Sequence, residues 1–255
     1  PYTTLFRSDE LKQTDDLLGL KAALDRIKQY INPSLSELQE KQVLTYFVHL
    51  LEVNRYMNLT AITDYDQMME LHLLDSISVL PYLPIEENLQ IIDIGTGAGL
   101  PGLPLKIFRP DFDLTLLDAT KKRLSFLDEC LHLTGLEEKA KTLHGRAEEI
   151  SRQKKYRESY DIAIARAVAS LNVLVELCLP LVKLNGFFIA MKGNSTQEIK
   201  EAEKAIELLG GDIADVIDFQ LPISKASRSL ILIQKIEETK PKYPRHAAKI
   251  KNMSL

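Results

Sequence analysis

The stretch from Leu89 to Gly102, LQIIDIGTGAGLPG, constrains this chain more than any other: an apolar strand runs into a turn with glycines at positions 95, 97, 99 and 102. Such a turn leaves the backbone bare and able to take positive φ, so a ligand can approach main-chain groups that side chains would cover. A structural turn alone would need fewer glycines. About twenty residues beyond Gly97 a second apolar run, Leu114-Thr115-Leu116-Leu117, ends in Asp118, where a nucleoside-binding βαβ unit sets its ribose-holding acid. The chain is therefore expected to bind an adenosine-type cofactor.

Length allows one large domain or a domain with a small cap, since 255 residues can bury a full core. A composition of 45% hydrophobic and 27% charged residues is ordinary for a soluble enzyme. No run approaches the roughly 18 apolar residues of a membrane span. Cys130 and Cys178 fall in amphipathic helical stretches and no secretory leader is visible, which fits a reducing cytoplasm. A net charge of −4 argues against indiscriminate coating of nucleic acid but leaves room for a local basic face.

Residues 1–9, PYTTLFRSD, show no period that connects with the helical spacing from residue 10 onward and read as a non-native or disordered leader. From residue 10 to residue 80 apolar residues recur at helical spacing, as in Leu35, Leu38, Val43, Leu44, Phe47, Leu50 and Leu51, with Ser34 or Ser36 available as an N-cap. This section is expected to be a helical N-terminal cap. Pro81 to Asn88 reads as a linker, and residues 81–255 as the cofactor-binding domain with a basic C-terminal tail. Strands are expected at Gln90 to Ile94, Leu114 to Asp118, Ala140 to His144, Tyr160 to Ala165, Gly186 to Lys192, Ala214 to Gln220 and Ser229 to Ile236. Helices are expected at Leu103 to Phe108, Lys121 to Leu133, Leu171 to Val182 and Thr196 to Leu209. The alternation predicts an α/β fold, a mostly parallel seven-stranded sheet with helices on both faces and the last strand antiparallel through a hairpin.

Gly97 to Gly102 satisfies the dinucleotide fingerprint literally, so an NAD-dependent oxidoreductase is one alternative. Asp93 helps separate this alternative from other nucleoside cofactors, because a carboxylate just ahead of the turn suits a cofactor carrying ammonium and sulfonium charge and repels a pyrophosphate. S-adenosylmethionine is such a cofactor. Asp118 can accept from both ribose hydroxyls or simply cap the helix that starts at Lys121. Glu148, after the third strand, could meet the adenine edge or sit solvated in a helix's first turn. Arg166, at the carboxyl end of the fourth strand, faces the ligand crevice by the switch-point rule or pairs with a neighbouring carboxylate. His72 and Asp75, three apart, share a helix face and read first as a packing pair. No Cys/His spacing suggests zinc, and no metal is expected.

The chain resembles the guanine-N7 methyltransferases of small-subunit (16S) ribosomal RNA, also called glucose-inhibited division protein B, over roughly residues 40–255. The resemblance is carried by Asn58-Leu59-Thr60-Ala61-Ile62, His72 with Asp75-Ser76, the run Asp93 to Gly102, Asp118 with Lys121-Lys122-Arg123, Arg166-Ala167, Lys192-Gly193 and Tyr243-Pro244-Arg245. It implies a Rossmann-like class I methyltransferase fold, with S-adenosylmethionine held by Gly95, Leu100, Ala147, Glu148 and Arg166. Asp93, Gly97, Gly99 and Asp118 match the general pattern of that class.

Under that resemblance the lack of a catalytic triad is intelligible, because guanine N7 carries a free lone pair and needs no base. Positioning should dominate, and alignment can supply ~7 to 11 kcal/mol; Arg166 and Lys192 are the positioning candidates. Methylation of cytosine C5 would demand a nucleophilic cysteine, and Cys130 and Cys178 read as core. The RNA-binding candidates are Lys121, Arg123, Arg146, Lys192, Arg245 and Lys249, joined in the basic stretches by Lys122, Lys240, Lys242 and Lys251. The tail is expected beside the carboxyl-end crevice, and the cluster RQKKYR from Arg152 to Arg157 reads as a solvated surface. The partner is small-subunit ribosomal RNA or the 30S particle, and a monomer without membrane attachment is favoured. The other alternative is a non-enzymatic nucleotide- or ribosome-binding module. On this reading Asp118→Ala weakens cofactor binding and leaves unfolding of the free protein nearly unchanged.

Overall fold

The computed structural model describes residues 2–166, 168–193, 195–252 and 255, with side chains described from residue 14 onward except at Lys251. Ala167 and the Lys251 side chain thus lie outside the described residues, as do the side chains of the stretch 1–9 read as a leader. Seven strands form one sheet: β1 Gln90–Ile94, β2 Asp113–Asp118, β3 Ala140–His144, β4 Tyr160–Arg166, β5 Val182–Lys192, β6 Gly211–Gln220 and β7 Ser227–Lys235. Their spatial order is β3-β2-β1-β4-β5-β7-β6. β1 to β5 pair in parallel, and β7 runs antiparallel to both of its neighbours, β5 and β6. The order reverses between β1 and β4, the switch point outside which open α/β sheets bind ligands.

Three helical sections precede the sheet: α1 Tyr2–Ile27, α2 Glu37–Met57, and α3, built from Tyr65–Gln67, a π-helical Met68–Leu74 and Asp75–Ile77. Among the strands lie α4 Gly102–Phe108, α5 Lys121–Thr134, α6 Ala147–Ile150, α7 Leu171–Cys178 and α8 Thr196–Leu208, and α9 Ala247–Asn252 follows the sheet. The helix expected from Leu171 to Val182 is shorter. It stops at Cys178, passes through a 3-10 turn at Leu179–Leu181 and gives way to β5 at Val182, because Pro180 has no amide to continue the ladder. The Pro81 to Asn88 connection is held from below, with the Arg109 guanidinium donating to the carbonyls of Pro84 and Glu86.

One sheet face shares a hydrophobic cluster with the N-terminal helices, including Phe47, Leu50, Met68, Leu103, Phe126 and Ile164. The other face packs against α7 and α8 through Leu174, Cys178, Phe188, Ala202 and Ile231. α2 is the hinge of this arrangement. Ser36 caps it: its hydroxyl accepts from the Gln39 amide at 3.2 Å, while Gln39 Oε1 accepts from the Ser36 amide at 3.0 Å. The same Gln39 donates through Nε2 to the carbonyls of Ile107 and Phe108, both at 3.1 Å, at the end of α4. Gln42 does likewise for Thr134 at the end of α5, at 2.8 Å. The helices behind the glycine turn thus have terminal carbonyls satisfied by side chains of α2.

The C-terminal tail starts away from the crevice and comes back to it, with Arg245 to Ala248 beside Glu148. Because β7 is antiparallel, it starts at the carboxyl end of β5 and leaves at the opposite edge, so the tail returns over the α7 face rather than starting beside the crevice. Arg157 donates to Thr239 O at 2.6 Å and Tyr243 O at 3.0 Å, and Arg152 donates to the carbonyls of Lys242 and Pro244. Arg152 to Lys155 are exposed, as a solvated surface would be, but the two arginines of RQKKYR also tie down the tail. Replacing Gln39 with Ala removes a capping box and two interhelix bonds and is expected to lower unfolding free energy by about 1–2 kcal/mol, read from urea denaturation. An unchanged midpoint would refute the anchoring role of α2.

Candidate active site at the carboxyl end of the sheet

The glycine turn is built on buried carboxylate chemistry. Asp93, in β1, is 1% exposed, and its Oδ2 accepts from Thr96 Oγ1 at 2.6 Å and from the Gly102 amide at 2.9 Å. A Cβ on Gly102 would meet that same Oδ2 at 2.8 Å, so the close approach of α4 to the carboxylate requires glycine. Asp93 thus sits beneath the turn as its brace. Its other oxygen, Oδ1, is buried with no partner among the described residues. Burial pushes the Asp93 pKa up to about 6, against the opposing pull of the Thr96 and Gly102 bonds and the Arg166 charge.

Gly95 and Thr96 donate to Leu117 O at 2.9 and 3.1 Å, and Gly97 donates to Asp118 Oδ2 at 3.1 Å. Gly95 takes φ +69°, and a Cβ there would strike the Val168 side chain at 2.9 Å. Gly99 is pressed by Leu103 and Leu127, whereas a Cβ on Gly97 would make only an ordinary contact with Gly95 O at 3.9 Å. The four glycines therefore divide between internal packing and bare backbone. Leu100 belongs to the buried cluster behind the turn.

A cleft of about 180 Å³ opens past this turn, lined by Gly95, Asp118, Gly145, Ala147, Glu148 and Val168, with Arg146 at its rim. Asp118, 4% exposed, also accepts from the Thr120 amide at 2.8 Å and meets Arg123 at 3.4 Å. Its capping and ligand-facing roles coexist, since an ionised carboxylate offers about four acceptor sites. The sequence did not single out Val168, Ala119 or Leu177, apolar lining residues with no polar signal.

Arg166 does not line this cleft. It lines a neighbouring one of about 490 Å³, with Ile62, Leu71, His72, Met191 and Lys192. There Arg166 Nη1 pairs with Asp75 Oδ2 at 3.1 Å, and Asp75 Oδ1 takes Arg228 Nε at 2.8 Å. Lys192 pairs with Glu198 at 2.8 Å and donates to Ala169 O at 2.8 Å. Asp75 is thus a bridge between two arginines rather than a packing partner of His72. Arg228 was missed because only the insertion of β7 beside β5 brings it here. Glu70 fixes that strand's turn, accepting from the amides of Ile223 and Ser224 at 2.7 and 2.8 Å.

The basic candidates separate by engagement. Lys121 and Lys122 are exposed in the first turn of α5, where cations oppose the helix dipole, a local conflict typical of functional positions. Arg146 and Lys249 are exposed, and Arg123 leans on Asp118. Arg245 is held by Glu176, a buried carboxylate that accepts from its side chain at 2.7 to 3.1 Å and from its amide at 2.7 Å. Among the described residues no three His, Cys, Asp or Glu side chains form a metal cluster, and no helix is long and apolar enough to cross a membrane.

An orphaned buried carboxylate oxygen, a second acid with spare acceptor capacity and bare backbone between them fit a ligand with a cationic end and a nucleoside end. Together with the order β3-β2-β1-β4-β5-β7-β6, they define a class I S-adenosylmethionine-dependent methyltransferase. A solved S-adenosylmethionine-dependent methyltransferase from Aquifex aeolicus shares this fold at 16% identity, with a TM-score of 0.50 over 67% of this chain and 93% of that one. The family described as GidB, rRNA small subunit methyltransferase G, matches residues 39–228. Ribosomal RNA small subunit methyltransferase G of Acetivibrio thermocellus is 48% identical over 83% of this chain and 88% of its own length. That of Alkaliphilus oremlandii is 46% identical over 91% and 97%. The chain belongs to the rRNA small subunit methyltransferase G family.

Because Asp118 supports two backbone amides, Asp118→Ala should loosen the turn as well as the ligand site, contrary to the sequence expectation. Asp118→Asn is the cleaner variant: roughly tenfold weaker S-adenosylhomocysteine binding by calorimetry, with a melting temperature near that of the parent. Equal affinity would remove Asp118 from the site. Asp93 carries a second prediction. Its folded pKa of about 6 lies above the ordinary value of 3.8, so its burial penalty is absent below pH 3.8, grows through this window and is complete above pH 6. Asp93→Asn should therefore gain stability relative to the parent as pH rises through the window, by on the order of 3 kcal/mol, measured by urea unfolding. A difference constant with pH would contradict the raised pKa.

Proposed function

We propose that this chain transfers a methyl group from S-adenosylmethionine to N7 of a specific guanine in 16S ribosomal RNA. When bound, that cofactor supplies an electrophilic methyl group on a sulfonium. Gly95, Asp118, Ala147 and Glu148 would hold its nucleoside end, and the free oxygen of Asp93 would meet its cationic end. Gly97, Gly99 and Leu100 shape the turn between them. Arg166 and Lys192 stand on the acceptor side, in the neighbouring cleft.

The observation that carries the N7 reading is that, among the described residues, the carboxylates of the Arg166 cleft are spent on ion pairs and no cysteine lines either cleft. Asp75 and Glu198 are engaged in ion pairs. Cys130 and Cys178 are buried, and burial pushes both thiols well above their ordinary pKa. Guanine N7 is an acceptor that asks for neither, so orientation is what the protein contributes. An NAD-dependent oxidoreductase is disfavoured by the antiparallel β7 between β5 and β6 and by the Asp93 carboxylate under the turn. Membership in a family named for methyl transfer disfavours a purely binding module.

We assign the exposed cations Lys121, Arg146 and Lys249, with Arg123, to the RNA backbone, and place the reaction in the cytoplasm. Lys192 and Arg245, already paired, are better suited to holding the site and the tail. Small-subunit particles lacking the modification, incubated with labelled S-adenosylmethionine and cleaved chemically at N7-methylguanine, should show one new site. Label on a base other than guanine, or at many guanines, would overturn the assignment. Lys121→Glu with Lys122→Glu should raise the KM for particles roughly tenfold and flatten its salt dependence, while leaving cofactor affinity unchanged.

A further inference from the structure

The 490 Å³ cleft that holds Arg166 is within the size of small-molecule sites. It borders the cofactor cleft across the end of β4, since Arg166 lines one and Val168 the other. Its walls offer apolar surface from Ile62, Leu71 and Met191. Its charged groups are spent on one another, Arg166 and Arg228 on Asp75 and Lys192 on Glu198. His72, only 8% exposed, carries the buried atom of this lining that has no hydrogen-bond partner among the described residues, Nδ1.

The hydrogen bonds around His72 determine what that atom offers. Asn54 Oδ1 accepts from the amides of Leu59 and Thr60 at 2.6 and 2.9 Å and so fixes the Asn58-Leu59-Thr60 loop. Thr60 Oγ1 accepts from the Ile62 amide at 3.0 Å and lies 2.8 Å from His72 Nε2. Its hydroxyl proton has no other acceptor among the described residues, so it is donated to Nε2. The proton of the neutral ring then resides on Nδ1, which makes Nδ1 a buried donor in want of an acceptor. Burial and the Arg166 charge lower the His72 pKa to about 4 against a weaker opposing pull from the Leu71 backbone, which keeps the ring neutral. A neutral donor suits a base whose ring gains positive charge as N7 is methylated. His72 belongs to the π-helical part of α3, and such segments recur at functional sites.

We propose that this cleft receives the acceptor guanine and that His72, oriented by Thr60, is a positioning residue that recognises guanine O6 through Nδ1–H. The inference rests on the methyltransferase reading above. N7 must stay free to attack, so O6 is the remaining acceptor on that edge of the base. Adenine presents an amino donor at the same place and would leave two donors facing each other.

The test compares methyl transfer to RNA carrying guanosine at the target with RNA carrying 2-aminopurine riboside, which keeps N7 and lacks O6. Glutamine places its amide near the imidazole Nε2 position and can keep the Thr60 bond without the Nδ1 donor. Asparagine places its amide near Nδ1. The parent enzyme should prefer guanosine by roughly tenfold in kcat/KM beyond the chemical reactivity difference of the bases, the size of one neutral hydrogen bond. His72→Gln should erase that preference, chiefly through acceptor KM, and His72→Asn should restore most of it. Unchanged S-adenosylhomocysteine affinity and melting temperature in both variants would show that the fold is intact. A preference that survives in His72→Gln would overturn the role of His72 and leave the methyltransferase reading standing. No transfer by the parent to any guanine would overturn that reading, and this inference with it.

Discussion

One buried carboxylate organises the molecule. Asp93 lies under the glycine turn with one oxygen bonded to Thr96 and Gly102 and the other without a partner among the described residues. From the side, Asp118 takes the Gly97 amide, and from above, Tyr46 of α2 donates to Ala98 O at 2.8 Å. Each bond contributes only about 1 kcal/mol. Their collective effect is to hold bare backbone in one conformation from three directions, which a ligand site with little side-chain chemistry requires. The N-terminal helices are part of this support, since α2 also caps the helices behind the turn through Gln39 and Gln42.

The second organising fact is that the charged groups of the cleft that holds Arg166 are paired with one another, three cations on two carboxylates. Asp75 is shared by Arg166 from β4 and Arg228 from β7, which ties the last segment of α3 to two strands at once. Such a bridge positions and does not abstract protons. A reaction whose acceptor already carries its lone pair is compatible with that economy, because binding geometry then supplies most of what the protein can add.

Much of the sheet was legible from the chain alone. β1 and β3 begin and end where the apolar runs do, and the hairpin ending was visible in the lack of a helix between Gln220 and Ser227. The family motifs pointed to the turn and to Asp118 for the same reason, since local spacing carries that information. What escaped was long-range. Arg228 meets Asp75 across 153 positions, and Arg152 and Arg157 find tail carbonyls more than 80 positions away. Nothing in a charge run distinguishes such a tie from a solvated face. Arg245, an RNA candidate in the sequence, is paired with Glu176, and Arg166 takes the ion-pair alternative, with Asp75 as a partner that spacing alone does not name. The overrun past Cys178 has a simpler cause: Leu179, Leu181 and Val182 prolong an apolar pattern that Pro180 interrupts only at the backbone.

Everything proposed for the site depends on a cationic nucleoside cofactor being held between Asp93 and Asp118. Calorimetric titration of the free protein and of Asp93→Asn with S-adenosylhomocysteine and with NADH, above and below about pH 6, tests this most directly. Binding of S-adenosylhomocysteine should weaken in the parent as Asp93 takes up a proton, Asp93→Asn should lack that pH response, and neither protein should bind NADH. Saturable NADH binding, or the same pH response in both proteins, would contradict the assignment.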